Sequence, residues 1–120
     1  MRVVAQGEIT VIWLGPVRST KKKVSGYSPL PMENGTYVIG HSETGHHHVL
    51  SRPDAASVMV LDRPPEGMRV LRAILDQPMQ LKHERGFDTH EPLELVPGEY
   101  EFRIAREYDP YEELARRSMD

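Results

Sequence analysis

Residues 91–104, EPLELVPGEYEFRI, contain the clearest evidence for the fold class of this chain. Apolar and polar residues alternate in LEL and again in YEFRI, so each segment can place its apolar side chains on one face of a β-strand. Pro97 and Gly98, between the two segments, occupy the central positions of a type II turn. The stretch therefore predicts a β-hairpin, and with it an all-β protein.

Outward from this hairpin, turns containing Gly or Pro recur about every ten residues, a spacing typical of β-sandwiches and β-barrels. Asn34-Gly35 is a hairpin signal, because both residues tolerate positive φ. The segment GPVRSTKKKVSGYSPLPMENG, which has no apolar period, predicts a long surface loop. Further strands are predicted in GEITVIWL, TYVIGH, HHHVLS, SVMVLD, MRVLRAIL and MQLKHE.

The last residues of the sequence have the pattern of a helix instead. Asp109 is a suitable N-cap, Pro110 suits the first helical position, and Glu112 completes a capping box. A short C-terminal helix is therefore predicted over 109–119. At 120 residues, we expect one domain over 1–120, a small β-barrel or sandwich followed by this helix.

The composition argues against several classes of function. The chain has no cysteine, which excludes disulfides, thiolate metal sites and cysteine nucleophiles. Its 15 basic and 18 acidic residues give a formal net charge of −3, so there is no basic field to support nucleic-acid binding. No apolar segment is long enough to span a bilayer, and the N-terminal residues lack a signal-peptide core. We expect a soluble cytoplasmic protein that does not bind membranes.

Four of the six histidines lie in residues 40–50, GHSETGHHHVL. Pairing the two flanking strands across the loop between them places Ile39 opposite His48. In that register His41 and His46 also lie opposite each other, and the three imidazoles share one face of the sheet. The sequence thus predicts a cluster of three nitrogen ligands beside an apolar surface.

Neutral imidazoles in this arrangement suit a divalent transition metal such as zinc, iron or nickel. Glu43, His83 and His90 are the candidates for a further ligand. His47 is expected to point to the other side of the sheet, opposite Gly40. The alternative is that this segment forms an exposed, hydrogen-bonded turn with stacked rings and no metal, and that the later histidines belong to a hydrophilic hairpin tip.

The sequence leaves open whether the protein is an enzyme. A metal with an open coordination position can activate water or oxygen, but nothing in the chain selects a substrate. Ser42 lies beside a histidine without the nucleophile elbow of a serine hydrolase. The basic segment RSTKKK has no interleaved aromatic residues, which favours a solvated loop over a phosphate-binding site.

One motif resembles a known family. Gly40, followed after five residues by His46-x-His48, is similar to the opening of the first cupin motif, and the Pro-Gly pair at 97–98 resembles the turn in the second. This resemblance implies a β-barrel in which the two histidines are metal ligands. The chain departs from the cupin pattern in two places. No glutamate follows in VLSRPDAAS, and Tyr100 lies near the position of the last cupin histidine. The resemblance therefore implies the barrel more than cupin catalysis.

A second resemblance covers most of the chain. The strings GHSETGHHHV, FDTHE and PGEYEFRIAREYDP are similar to short bacterial and phage proteins without an assigned activity. The likeness implies a possible phage or prophage origin. It adds an alternative function, a non-catalytic structural or assembly protein that forms homo-oligomers and can be part of a virion.

Overall fold

The structure is a computed structural model, which describes residues 3–6, 9–17, 24–41, 47–83 and 92–105. These ranges form ten strands: β1 (Val3–Gln6), β2 (Ile9–Gly15), β3 (Tyr27–Pro29), β4 (Val38–Gly40), β5 (His48–Leu50), β6 (Ala56–Leu61), β7 (Met68–Leu75), β8 (Met79–His83), β9 (Leu93–Leu95) and β10 (Gly98–Ala105). A short 3-10 helix, Pro53–Ala55, precedes β6. The predicted all-β class is confirmed, and the helix predicted over 109–119 lies outside the described residues.

The strands form two antiparallel sheets. The six-stranded sheet has the order β1-β2-β10-β7-β6-β3, and the four-stranded sheet has the order β4-β5-β8-β9. Because the two sheets are separate, the fold is a sandwich and the described strands do not close into a barrel. No helix in the described ranges is long and apolar enough to cross a membrane.

One apolar cluster fills the space between the sheets. Leu71 and Phe102 of the six-stranded sheet and Leu50 and Leu81 of the four-stranded sheet are fully or almost fully buried within it. Burying a side chain of this size contributes about 1.5–3 kcal/mol. The alternation seen in the sequence directs these residues inward, because successive side chains of a strand point to opposite faces.

The link between β9 and β10 differs from the predicted hairpin. β9 pairs with β8 in the four-stranded sheet, whereas β10 pairs with β2 and β7 in the other sheet. The hairpin prediction is therefore wrong, because the chain crosses here from one sheet to the other. Gly98 is needed for packing, since a Cβ at this position would overlap the indole ring of Trp13.

The described residues of the predicted long loop include a strand and the predicted Asn34-Gly35 turn. β3 lies within it and pairs with β6 at the edge of the six-stranded sheet. This strand has three residues and ends in proline, which leaves no periodicity to detect. The Asn34-Gly35 turn is confirmed: φ is 51° and 77° at the two residues. Backbone hydrogen bonds of 2.8 and 3.1 Å join the flanking Glu33 and Thr36.

Candidate functional site

The histidine-rich segment lies on β4 and β5, in a register that differs from the expected one. Gly40 is opposite His48 and Val38 is opposite Val49, so Ile39 forms a bulge in β4. The predicted pairing of Ile39 with His48 is wrong because the bulge inserts one residue into the strand. As a result His48 lies beside Gly40. A Cβ added at Gly40 would stand 3.5 Å from Cδ2 of the His48 ring.

His48 and His83 form a pair across neighbouring strands. They are directly opposite on β5 and β8, and their rings stack with centroids 4.2 Å apart and an interplanar angle of 5°. Strand alternation places them on the same face as Leu50 and Leu81, which are buried in the core. The half-buried pair therefore lies at the end of the space between the two sheets.

Gln6, the last residue of β1, reaches His48 from the six-stranded sheet. Its Nε2 donates a hydrogen bond of 2.9 Å to the backbone oxygen of Leu81, which orients the amide. The Oε1 atom then lies 2.8 Å from Nδ1 of His48. Because an amide oxygen only accepts, Nδ1 of His48 is the donor. In the neutral ring of His48, the lone pair is therefore on Nε2.

A second pair consists of His41 and His47, at adjoining ends of β4 and β5. Their rings contact edge to face, with centroids 5.1 Å apart and an interplanar angle of 70°. The Nε2 atom of His41 lies 2.6 Å from Oε2 of Glu33, beside the Asn-Gly turn. Both of these side chains are partly exposed, so the contact orients the ring more than it stabilises the fold. The expectation that His47 lies opposite Gly40, away from His41, is therefore wrong.

The structure brings together two of the predicted ligands, His48 and His83, and places His41 in the other pair. Within the described part of the chain, no three or more His, Asp or Glu side chains gather in the arrangement of a metal site. The other predicted ligands, Glu43, His46 and His90, lie outside the described residues.

Two residues that orient the histidines were missed by the sequence analysis. Gln6 is 42 positions away from His48, and no local pattern links them. Glu33 is eight positions from His41. The Asn-Gly turn signal could have placed Glu33 at a hairpin end, but its contact with a histidine depends on how that hairpin packs.

Comparison with known proteins places the chain in a family. Residues 5–105 match the family described as Domain of unknown function (DUF8820). The chain belongs to the DUF8820 family. The DUF8820 match extends from the second half of β1 to the end of β10, so it includes both histidine pairs. Neither the curated proteins nor the solved structures returned a match.

Proposed function

We propose that this protein binds a divalent transition metal, such as zinc, iron or nickel, through His48 and His83. The observation that carries the proposal is the cross-strand stack of these two rings, with Nδ1 of His48 held by Gln6. Two imidazole nitrogens on one tetrahedral zinc ion, each about 2.0–2.1 Å from the metal, lie about 3.4 Å apart. The rings are nearly parallel in the structure, and each lone pair lies in the plane of its ring, so both rings would have to turn out of the stack to point two nitrogens at one ion.

Gln6 can orient a metal-binding histidine without being a metal ligand itself. A metal-binding imidazole usually donates its other N–H to a carboxylate, a carbonyl or water, which fixes the tautomer and the ring orientation. The amide oxygen of Gln6 accepts from Nδ1 in this way, so Nε2 of His48 is the proposed ligand atom. Glu43, His46 and His90 remain the proposed sources of further ligands.

The test uses untagged protein, purified without a metal column. Elemental analysis after incubation with zinc, iron(II) or nickel should find one metal ion per chain. Isothermal titration should show that His48→Ala and His83→Ala each abolish stoichiometric binding. Gln6→Leu should weaken binding by about 10- to 100-fold, the usual effect of removing a partner that orients a metal ligand.

His47→Ala is the matched control, because His47 neighbours His48 in sequence while its ring contacts His41. This variant should bind metal like the wild type. Wild-type protein that takes up none of the three metals would contradict the proposal. So would a loss of binding in His47→Ala as large as the loss in His83→Ala, because it would move the site to the other histidine pair.

We propose self-association as a second candidate function, supported by the composition of β1, the edge strand of the six-stranded sheet among the described residues. β1 is the last strand at that edge, and it contains neither a charged residue nor a proline. Its Val3 and Val4 are 56% and 40% exposed. Natural edge strands usually carry charges or proline that block pairing, as Pro29 does in β3 at the opposite edge. Pairing of β1 with a second copy would give the homo-oligomer of an assembly protein.

Light scattering at increasing protein concentration tests this candidate. The wild type should form dimers or larger species, and Val4→Lys should shift the population towards monomers, because paired lysines repel each other. Lys82→Gln, on β8, serves as a control for the surface charge. A wild type that stays monomeric at millimolar concentration would rule out assembly through β1.

A further inference from the structure

An apolar cleft of about 220 Å³ lies on the side of the sandwich where each sheet has an edge strand among the described residues, β1 in one sheet and β9 in the other. Val4 and Val11 are directly opposite each other on β1 and β2, and Trp13 follows Val11 by two residues. These three side chains therefore share the inner face of the larger sheet. Leu93 and Leu95 of β9 form the facing wall. The cleft is thus an apolar space between the two sheets.

The polar groups around the cleft have partners. The phenol of Tyr100, a buried lining residue, donates to the backbone oxygen of Val96 at 2.8 Å. The carboxylate of Glu94 accepts a hydrogen bond of 2.5 Å from Nε2 of Gln80 on the neighbouring strand. Because Glu94 lies between two inward-facing leucines of β9, this carboxylate lies on the opposite face of the sheet. Among the described lining residues, none therefore directs a charge into the cleft.

The two aromatic lining residues and the volume indicate which shape of ligand fits. Trp13 and Tyr100 contact edge to face, with centroids 5.3 Å apart and an interplanar angle of 68°. Aromatic rings favour edge-to-face and offset-stacked contacts, so an aromatic ligand can extend this arrangement. An apolar cavity of about 150 Å³ is large enough for benzene. A volume of about 220 Å³ therefore suits a molecule with two fused rings.

We propose that this cleft binds an uncharged two-ring aromatic molecule, of the size of naphthalene or indole, against the ring of Trp13. Burial of the ligand's apolar surface provides the driving force. An ionic ligand of the same shape is disfavoured, because its charge would lose water without gaining a partner. Val4 and Val96, which are 40% and 49% exposed, form the rim through which the ligand enters. This inference is independent of the proposed metal site.

The experiment is a titration of 15N-labelled full-length protein, followed by NMR. The chain has one tryptophan, so its indole N–H gives a single side-chain signal that reports on the cleft. The probes are the neutral 1-naphthylmethanol, the anion 1-naphthoate and the cation 1-naphthylmethylammonium. The neutral probe should shift the Trp13 indole signal and bind at least about tenfold more tightly than either ion, because only the ions bring a charge into the apolar cleft.

Val4→Phe and Val3→Phe are a matched pair of variants on one edge strand. The side chain of Val4 lines the cleft, whereas Val3 precedes it on β1 and therefore points to the other face of the sheet. Val4→Phe should lower the affinity for 1-naphthylmethanol at least about tenfold, because the larger side chain narrows the cleft. Val3→Phe should leave the affinity unchanged. If Val4→Phe does not fold, Val96→Phe replaces it, since Val96 is an exposed lining residue outside the strands.

Several results would overturn the proposal. One is a Trp13 indole signal that does not move at millimolar 1-naphthylmethanol, and another is equal affinity for the three probes. A loss of affinity in Val3→Phe as large as that in Val4→Phe would place the binding site elsewhere. An apparent affinity that falls as the protein concentration rises would assign the cleft to a second copy of this chain instead of a small molecule.

Discussion

Replacing Gly98 by alanine tests why the chain needs glycine where it crosses between the sheets. An added Cβ would overlap Cζ3 and Cη2 of Trp13 and would stand 2.9 Å from the backbone oxygen of Gly15. The Trp13 ring cannot move freely, because it packs edge to face on Tyr100 with centroids 5.3 Å apart. The substitution therefore forces either the ring or the strand to shift.

The expected loss of stability follows from this overlap. Overpacking a well-packed site costs about 1–3 kcal/mol, and the contact with a rigid ring places the cost of Gly98→Ala at about 3 kcal/mol. In a Trp13→Leu background the overlapping ring atoms are gone and the Gly15 contact remains. There the same substitution should cost about 1 kcal/mol. The two positions should thus couple by about 2 kcal/mol, within the usual range for residues in contact.

Urea denaturation of the wild type, the two single variants and the double variant measures this coupling. Far-UV circular dichroism is the suitable signal, because Trp13 is the chain's one tryptophan and fluorescence would be lost in two of the four proteins. Equal losses for Gly98→Ala in both backgrounds, within about 0.5 kcal/mol, would refute the role of Trp13. The glycine would then be required by the backbone alone.

Two further predictions concern hydrogen bonds of the described residues. Tyr100→Phe removes the donation from the phenol to the backbone oxygen of Val96, 2.8 Å away, and should lower the free energy of unfolding by about 1 kcal/mol. An unchanged urea midpoint would contradict this. The side-chain hydrogen bond from Arg52 holds the pKa of Asp54 below its usual range, so any stabilisation from this pair is present at neutral pH and is lost as pH falls through the lowered pKa. Arg52→Gln should return the pKa of Asp54 towards the ordinary aspartate value in a carbon-13 NMR titration, and an unmoved titration would exclude Arg52 as the cause.

The fold class could be predicted because strand patterns are local. The residues of β7 and β8 either alternate between apolar and polar or are mostly apolar, and turn residues flank both segments. Both segments are strands, as predicted. β1 was missed, since its four residues are all apolar or neutral and show no alternation. Pairing was less predictable than strand type. Two strands joined by a Pro-Gly turn usually form a hairpin, and the partners of β10 are instead selected by packing over long distances in the sequence.

For the histidine site, the sequence indicates which residue type is involved, but it predicts only part of how the histidines are paired. The histidine density singles out residues 40–50, and strand parity predicts that alternate histidines share a face. The bulge at Ile39 then moves the register by one residue and separates His41 from the His48–His83 stack. A bulge has no signal in this sequence, because the residue that forms it is an ordinary isoleucine.

The position of β2 between β1 and β10 has a consequence for how the chain folds. During synthesis, β1 and β2 leave the ribosome early and can pair with each other. The second edge of β2 can form its hydrogen bonds only after β10 has been synthesised, and the residues of β10 come from the other end of the described chain. Contacts between such distant segments slow folding, since the loop entropy is lost before the ladder forms. We therefore expect that translation arrested before residue 98 leaves a chain without the six-stranded sheet, which is open to proteases and chaperones until β10 is released.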